Sequence, residues 1–114
     1  MSGITFIKYK DQLLSNINHQ SLIFKKIILK KGIVPNLLQF ATVNFQSGDS
    51  IEKHSHESMY EIFYVIKGEL IVFNDLNQTK VSDGDAFVVY PKQNHRFEIL
   101  QNAKLIYFNI ESDN

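Results

Sequence analysis

Residues 48–68 read GDSIEKHSHESMYEIFYVIKG and place two histidines and a glutamate at the start of an apolar segment. His54 and His56 are one residue apart, so on an extended chain both side chains project from the same face. The apolar segment is rich in β-branched and aromatic residues, which favours a strand. Glu61 can lie beside the histidine pair if the two segments form a hairpin. This window therefore predicts neighbouring strands with three potential metal ligands.

A second window, residues 84–95, reads GDAFVVYPKQNH and ends on a third histidine. His95 follows the turn at Pro91 and begins another apolar segment, which makes it the plausible source of a further imidazole. Imidazole suits Fe, Ni, Cu and Zn, and a carboxylate adds a donor that Mn and Fe accept. We predict one divalent ion (Fe, Mn, Ni, Zn, Co or Cu) with an open coordination position, as a reactive site needs. The predicted ligands are His54, His56, Glu61 and His95.

Around these windows the chain alternates short apolar segments with turns. Residues 11–20 fit a helical turn or a loop. Roughly nine or ten short strands with almost no helical periodicity indicate an all-β protein, either an antiparallel sandwich or a closed barrel. The predicted strands are Ile4–Tyr9, Ser21–Leu29, Leu37–Phe45, Tyr60–Ile66, Glu69–Phe73, Lys80–Val81, Ala86–Tyr90, Arg96–Leu100 and Leu105–Ile110.

The composition restricts the partners and the compartment that we expect. The 114 residues fit one domain, and twelve basic residues balance twelve acidic ones, so no overall field favours nucleic acid or an anionic membrane. No apolar run approaches the roughly 20 residues of a spanning helix. The absence of cysteine excludes disulfides and thiolate sites and agrees with a reducing compartment. With no export signal in the charged N-terminus, we expect a cytoplasmic protein.

Lysines are concentrated in the first part of the chain, where Asp11 is the one acid before position 48. They could form a face that binds an anion or a partner. They could instead lie on exposed strand edges, where lysine discourages aggregation. We favour the second interpretation, because no arginine or aromatic interleaving accompanies them. The six lysines are Lys8, Lys10, Lys25, Lys26, Lys30 and Lys31.

The spacing of the first window resembles the first signature of the cupin superfamily, and the second window looks like the second signature. The matching pattern is Gly48, five residues, His54, one residue, His56, four residues, Glu61, six residues and Gly68. This resemblance implies a small single-domain cupin, an antiparallel double-stranded β-helix or jelly-roll barrel that holds the metal inside. By analogy, the four predicted ligands bind the ion. Gly48, Gly68 and Gly84 would serve turns.

The second window departs from the usual cupin pattern. Pro91 comes one position late, and the glycine expected next is absent, with Lys92 and Gln93 in its neighbourhood. Ile99 stands where asparagine is frequent. These differences concern the geometry of the loop rather than the ligand His95.

The resemblance also has implications for assembly, because cupins are commonly dimers in which N-terminal strands pack against the partner's sheet. We therefore expect a homodimer. We expect one domain over residues 1–114, in which residues 1–36 supply N-terminal strands available for the dimer and residues 37–110 form the barrel core.

Side chains near the predicted ligands would line the space around the ion. Four of them are an even number of positions from Glu61 or His95, so on a regular strand they point to the same side. They either form an apolar pocket for a small organic ligand or pack as the core of the barrel. The tyrosines could supply a phenolic proton donor, although packing is their commoner role. The predicted pocket residues are Phe63, Val65, Phe97, Ile99, Tyr60 and Tyr90.

Few candidate acids and bases accompany the predicted ion, so we expect chemistry that the ion itself carries. The family resemblance does not select a reaction, since such cupins include dioxygenases, isomerases, lyases, decarboxylases and proteins without known turnover. The leading hypothesis is a metal-dependent enzyme of oxygenase, isomerase or lyase type that acts on a small organic molecule bound directly to the metal. The alternative is a non-catalytic, metal-assisted module that binds or senses a small ligand.

Overall fold

The structure is a computed structural model that describes residues 3–17 and 20–112. A short 3-10 helix, Tyr9–Asp11, precedes the strands, and every strand pairing is antiparallel. Among the described residues, no helix has the length and apolar character needed to cross a membrane. The strands are β1 (Leu13–Ile17), β2 (Gln20–Lys30), β3 (Leu37–Phe45), β4 (Ser50–His54), β5 (Met59–Phe73), β6 (Gln78–Ser82), β7 (Ala86–Val89) and β8 (His95–Glu111).

The sheet runs in the order β1-β2-β3-β8-β5-β6, with β4 also paired to β8 and β7 to β5. The two central strands, β5 and β8, have 15 and 17 residues and change partners along their length. The first part of β8 pairs with β4 and its later part with β3, while β5 pairs first with β7 and then with β6. This partner exchange builds the all-β antiparallel jelly-roll barrel, and the predicted fold class is confirmed.

A bulge at Gly68 lets β5 continue through the point where its partner changes. Gly68 has a φ of +108°, and its N–H donates to Asp83 Oδ1 over 2.7 Å. A Cβ atom at this position would overlap the backbone of Asn102 and Ala103 on β8. Glycine is therefore required both for the backbone conformation and for the close approach of the two strands.

Four predictions about secondary structure are wrong. The strand predicted at Ile4–Tyr9 is absent, since residues 4–8 lie outside the strands. This segment has β-type composition, but Phe6 is 75% exposed, so little burial favours strand pairing there. The breaks predicted around Gly68 and after Leu100 are also absent, because β5 and β8 absorb them as register shifts. Residues 11–20, predicted to be a helical turn or loop, include β1.

The core lies between the two layers of the barrel, where inward-facing apolar side chains meet. Two polar residues, Glu61 and His95, share this burial, with 6% and 3% of their surface exposed. Buried ionisable groups normally require a partner, so these two mark a site. The buried apolar residues are Ile23, Ala41, Val43, Phe45, Ile51, Phe63, Val65, Leu70, Val81, Val89, Phe97, Ile99, Ala103, Leu105 and Tyr107.

Candidate metal centre

Three neighbouring strands bring the four predicted ligands together at one end of the barrel. His54 ends β4 and is the register partner of His95, which begins β8. Glu61 lies on β5 opposite Asn109 of β8, and His56 follows β4 in the loop that leads to β5. One potential ligand atom from each of the four residues lies within 4.8 Å of all the others. The group could therefore hold a metal ion.

Backbone hydrogen bonds orient two of the imidazoles toward this point. His54 Nδ1 lies 2.8 Å from the Glu52 carbonyl oxygen, and His95 Nδ1 lies 3.0 Å from the Gln93 carbonyl oxygen. A carbonyl oxygen only accepts hydrogen bonds, so each Nδ1 must carry the proton. When Nε2 carries no proton, its lone pair is free for a metal, an arrangement common around metal-binding histidines.

The chemistry of the donor atoms fits a cation. Glu61 Oε1 lies 3.1 Å from His95 Nε2 and 3.4 Å from His56 Nε2. Glu61 Oε1 and His95 Nε2 are buried, and neither has a hydrogen bond of good geometry within the described residues. Two buried lone pairs that face each other are unfavourable unless a proton or a metal ion lies between them. This arrangement therefore fits a divalent metal held by nitrogen and oxygen donors.

The pKa values of His56, which is half-buried, and of His95, which is buried, are shifted in opposite directions. Burial lowers the pKa of His56 below 6.5, against the opposing effect of the Glu61 carboxylate. Burial also acts to lower the pKa of His95, but the Glu61 carboxylate and the Gln93 carbonyl outweigh it and raise the net pKa. A proton therefore competes with a metal less strongly at His56 than at His95.

A cavity of about 280 Å³ opens from the four candidate ligands into the barrel. Of the predicted pocket residues, Phe63 and Phe97 line it, with their rings 5.3 Å apart in an edge-to-face arrangement. Val65 and Ile99 lie in the core rather than in the described cavity wall. Tyr60 and Tyr90 are also outside that wall. Their rings pack against each other at 5.4 Å, and Tyr90 is 63% exposed.

Sequence reasoning missed a group of polar side chains in the cavity wall. Lys25 Nζ donates to Gln39 Oε1 over 2.8 Å, and the Tyr107 hydroxyl donates to the same oxygen over 3.1 Å. Asn109 lines the cavity as well, and its Oδ1 is buried without a partner among the described residues. The alternation of side chains along β3 could have identified Gln39, because Gln39 is two residues before the buried Ala41 and therefore lies on the same face.

The loop without the expected glycine still forms a tight turn. Lys92 adopts a φ of +69°, the left-handed conformation that glycine accepts most easily. The Lys92 N–H donates to the His56 carbonyl oxygen over 2.6 Å. This bond ties the loop before His95 to the segment that carries His56. The glycine turns predicted at Gly48 and Gly84 also have positive φ.

Several solved structures have the same fold as this chain at low sequence identity. A predicted oxalate decarboxylase from Thermotoga maritima is similar with a TM-score of 0.79 and 18% identity, over 94% of this chain and 99% of that one. KdgF from Halomonas sp. has a TM-score of 0.75 and 24% identity, over 96% of this chain and 97% of that one. The FeII form of HppE has a TM-score of 0.80 and 16% identity, over 96% of this chain and 62% of that one.

These identities are low, and the likeness concerns the fold. Comparison with curated proteins gave no significant match. The sequence profile described as Cupin domain, however, matches residues 41–111. That range contains all four candidate ligands and both central strands, and it covers more than half of the chain. The chain therefore belongs to the cupin family.

Proposed function

We propose that this protein is a metal-dependent enzyme that acts on a small organic molecule bound directly to a divalent ion in the barrel. The observation that carries the proposal is the convergence of three imidazoles and one carboxylate beside a cavity of about 280 Å³. Four protein donors leave room for a substrate atom on a five- or six-coordinate ion. The name of one similar structure, FeII HppE, agrees with a metal ion in this fold.

The side chains have distinct roles in this proposal. His54 and His95 present Nε2 because their Nδ1 atoms are held by backbone carbonyls. Glu61 offsets part of the charge of the ion and is shielded from water. Phe63 and Phe97 provide an apolar wall that excludes water from the carbon skeleton of a substrate. A bound ion supplies Lewis-acid polarisation or dioxygen activation, according to its identity.

The alternative is a non-catalytic module that uses the metal to bind or sense a small ligand. One observation favours it: besides the candidate ligands, Lys25 and Tyr107 are the titratable residues in the described cavity wall. Burial and the Glu61 carboxylate raise the pKa of Tyr107 far above the usual phenol range. This tyrosine is therefore poorly suited to proton transfer at neutral pH.

The first experiment measures the metal itself. Protein purified without added metal is analysed for bound elements and is then loaded separately with Fe, Mn, Ni, Zn, Co and Cu. Replacement of His56 by alanine is expected to reduce metal content sharply, because one nitrogen donor is lost. His19→Ala, which changes the remaining histidine of the sequence, is the control. Equal metal content in wild type and His56→Ala would contradict the proposed site.

The second experiment separates the enzyme from the binding module. Each metal-loaded form is incubated with a library of small organic molecules, and both bound and converted compounds are identified by mass spectrometry. Conversion of a compound by one metal form supports the enzyme. Reproducible binding with no conversion under any metal supports the module.

We also propose that the chain is a single domain that forms a homodimer through its N-terminal part. Residues 1–36 contribute β1 and β2, which extend the sheet beyond β3. Large apolar side chains remain exposed in this part, and a partner would bury them. They include Ile4 at 63%, Phe6 at 75%, Leu13 at 56% and Leu14 at 68% exposure.

A further inference from the structure

Lys25 is a cationic side chain inside the cavity of the candidate metal centre. It lies on β2, next to β3, and is partly buried. The cavity wall that it joins also contains all four candidate ligands and the apolar rings of Phe63 and Phe97. The ammonium group and the metal centre therefore face one shared space.

The ammonium group is held in place but is not neutralised. Lys25 Nζ has one hydrogen-bond acceptor within the described residues, the uncharged Gln39 amide, although an ammonium group has three N–H donors. The hydroxyl of Tyr107 donates to the same amide oxygen and fixes its orientation. Glu61 is the one carboxylate in the described cavity wall, and it is a candidate metal ligand. No dedicated counterion accompanies Lys25 there.

This arrangement is costly without a ligand. Burial of the ammonium group lowers the pKa of Lys25, against the opposing effect of the Glu61 carboxylate. A divalent ion bound to three neutral imidazoles and one carboxylate keeps excess positive charge, and Lys25 adds to it. An anionic ligand relieves both charges, because partly buried cations are stabilised by paired and hydrogen-bonded anions.

We propose that the cavity binds a small organic acid, with a carboxylate of the ligand on Lys25 Nζ and a second oxygen donor on the metal. The inference deepens the proposed function and rests on it for the metal contact. Gln39 is a positioning residue that directs the ammonium group, and Phe63 and Phe97 contact the carbon skeleton. The cavity volume lies near the lower end of the roughly 300–1,000 Å³ found for ligand pockets, which restricts the acid to a small one.

The test uses cobalt(II)-loaded protein with malonate and succinate as probes and their dimethyl esters as uncharged counterparts. Calorimetry measures affinity, and the visible spectrum of cobalt reports whether the probe reaches the metal. Lys25→Met is expected to weaken binding of the better dicarboxylate by about 10- to 100-fold, the range for loss of a charged hydrogen bond. Cobalt content should stay unchanged. Lys30→Met, which removes the same charge from an exposed position on β2, should change affinity less than about twofold.

A second variant keeps the test informative if Lys25→Met fails to fold. Gln39→Glu leaves Lys25 in place but puts a carboxylate beside Nζ, so the lysine acquires an internal counterion. It should weaken dicarboxylate binding by a similar factor while the esters are unaffected. Melting temperatures of all variants show whether each is folded.

The outcomes distinguish this inference from the proposed function. Dicarboxylate affinity that is equal in wild type, Lys25→Met and Gln39→Glu overturns the role of Lys25, even if cobalt is bound. Failure of both dicarboxylates to bind the wild type at millimolar concentration also overturns it. Failure of the wild type to take up any metal overturns the proposed function. Lys25-dependent binding of dicarboxylates to metal-free protein would still support the anion site.

Discussion

At the scale of single residues, the buried contact between Glu61 Oε1 and His95 Nε2 governs the chemistry of the centre. The two atoms are 3.1 Å apart and are shielded from water, so a cation must satisfy both. Without a metal a proton can take this place, and, against the effect of its burial, the Glu61 carboxylate and the Gln93 carbonyl raise the pKa of His95. Metal and proton therefore compete for the same pair of atoms.

Metal affinity should fall as the pH is lowered from 8 to 5. Imidazole must be unprotonated to bind, and the raised pKa of His95 makes protons compete at a higher pH than at a free histidine, near 6.5. In the metal-free protein, the contribution of His95 to the free energy of unfolding has the opposite pH dependence, because protonation of His95 stabilises the fold below pH 6.5. This contribution is lost as the pH rises through the higher folded pKa. Competitive titration with a chelator at each pH measures the affinity, and a flat profile would argue for other ligands.

Alternation along an extended chain predicted only that His54 and His56 share a face. The grouping with Glu61 and His95 was expected mainly from the resemblance of both windows to the cupin signatures.

Parity with Ala41 could have placed Gln39 on the inward face of β3, but its contact with Lys25 could not be predicted. Lys25 lies on β2, and the contact depends on how β2 and β3 pair in the folded sheet. The orientation of His54 and His95 likewise depends on backbone carbonyls, which every residue carries.

At the scale of elements, the long strands β5 and β8 determine the barrel. The sequence predicted most strands through their apolar composition, but Gly68 was interpreted as a turn between two strands. Glycine is compatible with both a turn and a bulge. The distinction depends on Asn102 and Ala103, which approach Gly68 from β8 more than thirty positions along the chain. That contact is a property of the folded molecule.

Gly68→Ala should destabilise the protein more than Gly84→Ala. Both glycines have positive φ, so both variants carry the strain of a left-handed residue, about 1–2 kcal/mol. At Gly84 a Cβ atom has open space, whereas at Gly68 it overlaps the backbone of β8. The free energy of unfolding, from urea titration, should fall further for Gly68→Ala by at least about 1 kcal/mol. Equal losses would mean that β5 and β8 can separate at this point without cost.

At the scale of the whole molecule, the N-terminal part carries several exposed large apolar side chains in β1 and in the segment before it. The barrel buries an apolar core between its layers, although some of its own large side chains, such as Leu76 and Tyr90, are also exposed. The sequence predicted strands in the N-terminal part but placed the first one too early. Its segments have strand-like composition without the alternating pattern that marks a buried face.

Leu14→Lys should convert the proposed dimer into a monomer. Leu14 lies on β1 and is 68% exposed, so a charge there would be buried at the proposed contact but harmless in a monomer. Sedimentation analysis should give twice the chain mass of 13.2 kDa for the wild type and the single mass for the variant. Leu76→Lys, at a side chain 90% exposed between β5 and β6, is the control and should keep the wild-type mass. A monomeric wild type would overturn the dimer.

Strand β1 contributes both to the cavity wall and to the outer surface. Its Ile17 lines the cavity, whereas its Leu13 and Leu14 are exposed. If self-association orders β1, thermodynamic reciprocity requires that cavity occupancy and subunit pairing reinforce each other by the same factor. Dilution would then expel the ligand, and saturation with ligand would slow subunit exchange. Through the five residues of β1, the concentration of the protein would then influence how much ligand the cavity holds.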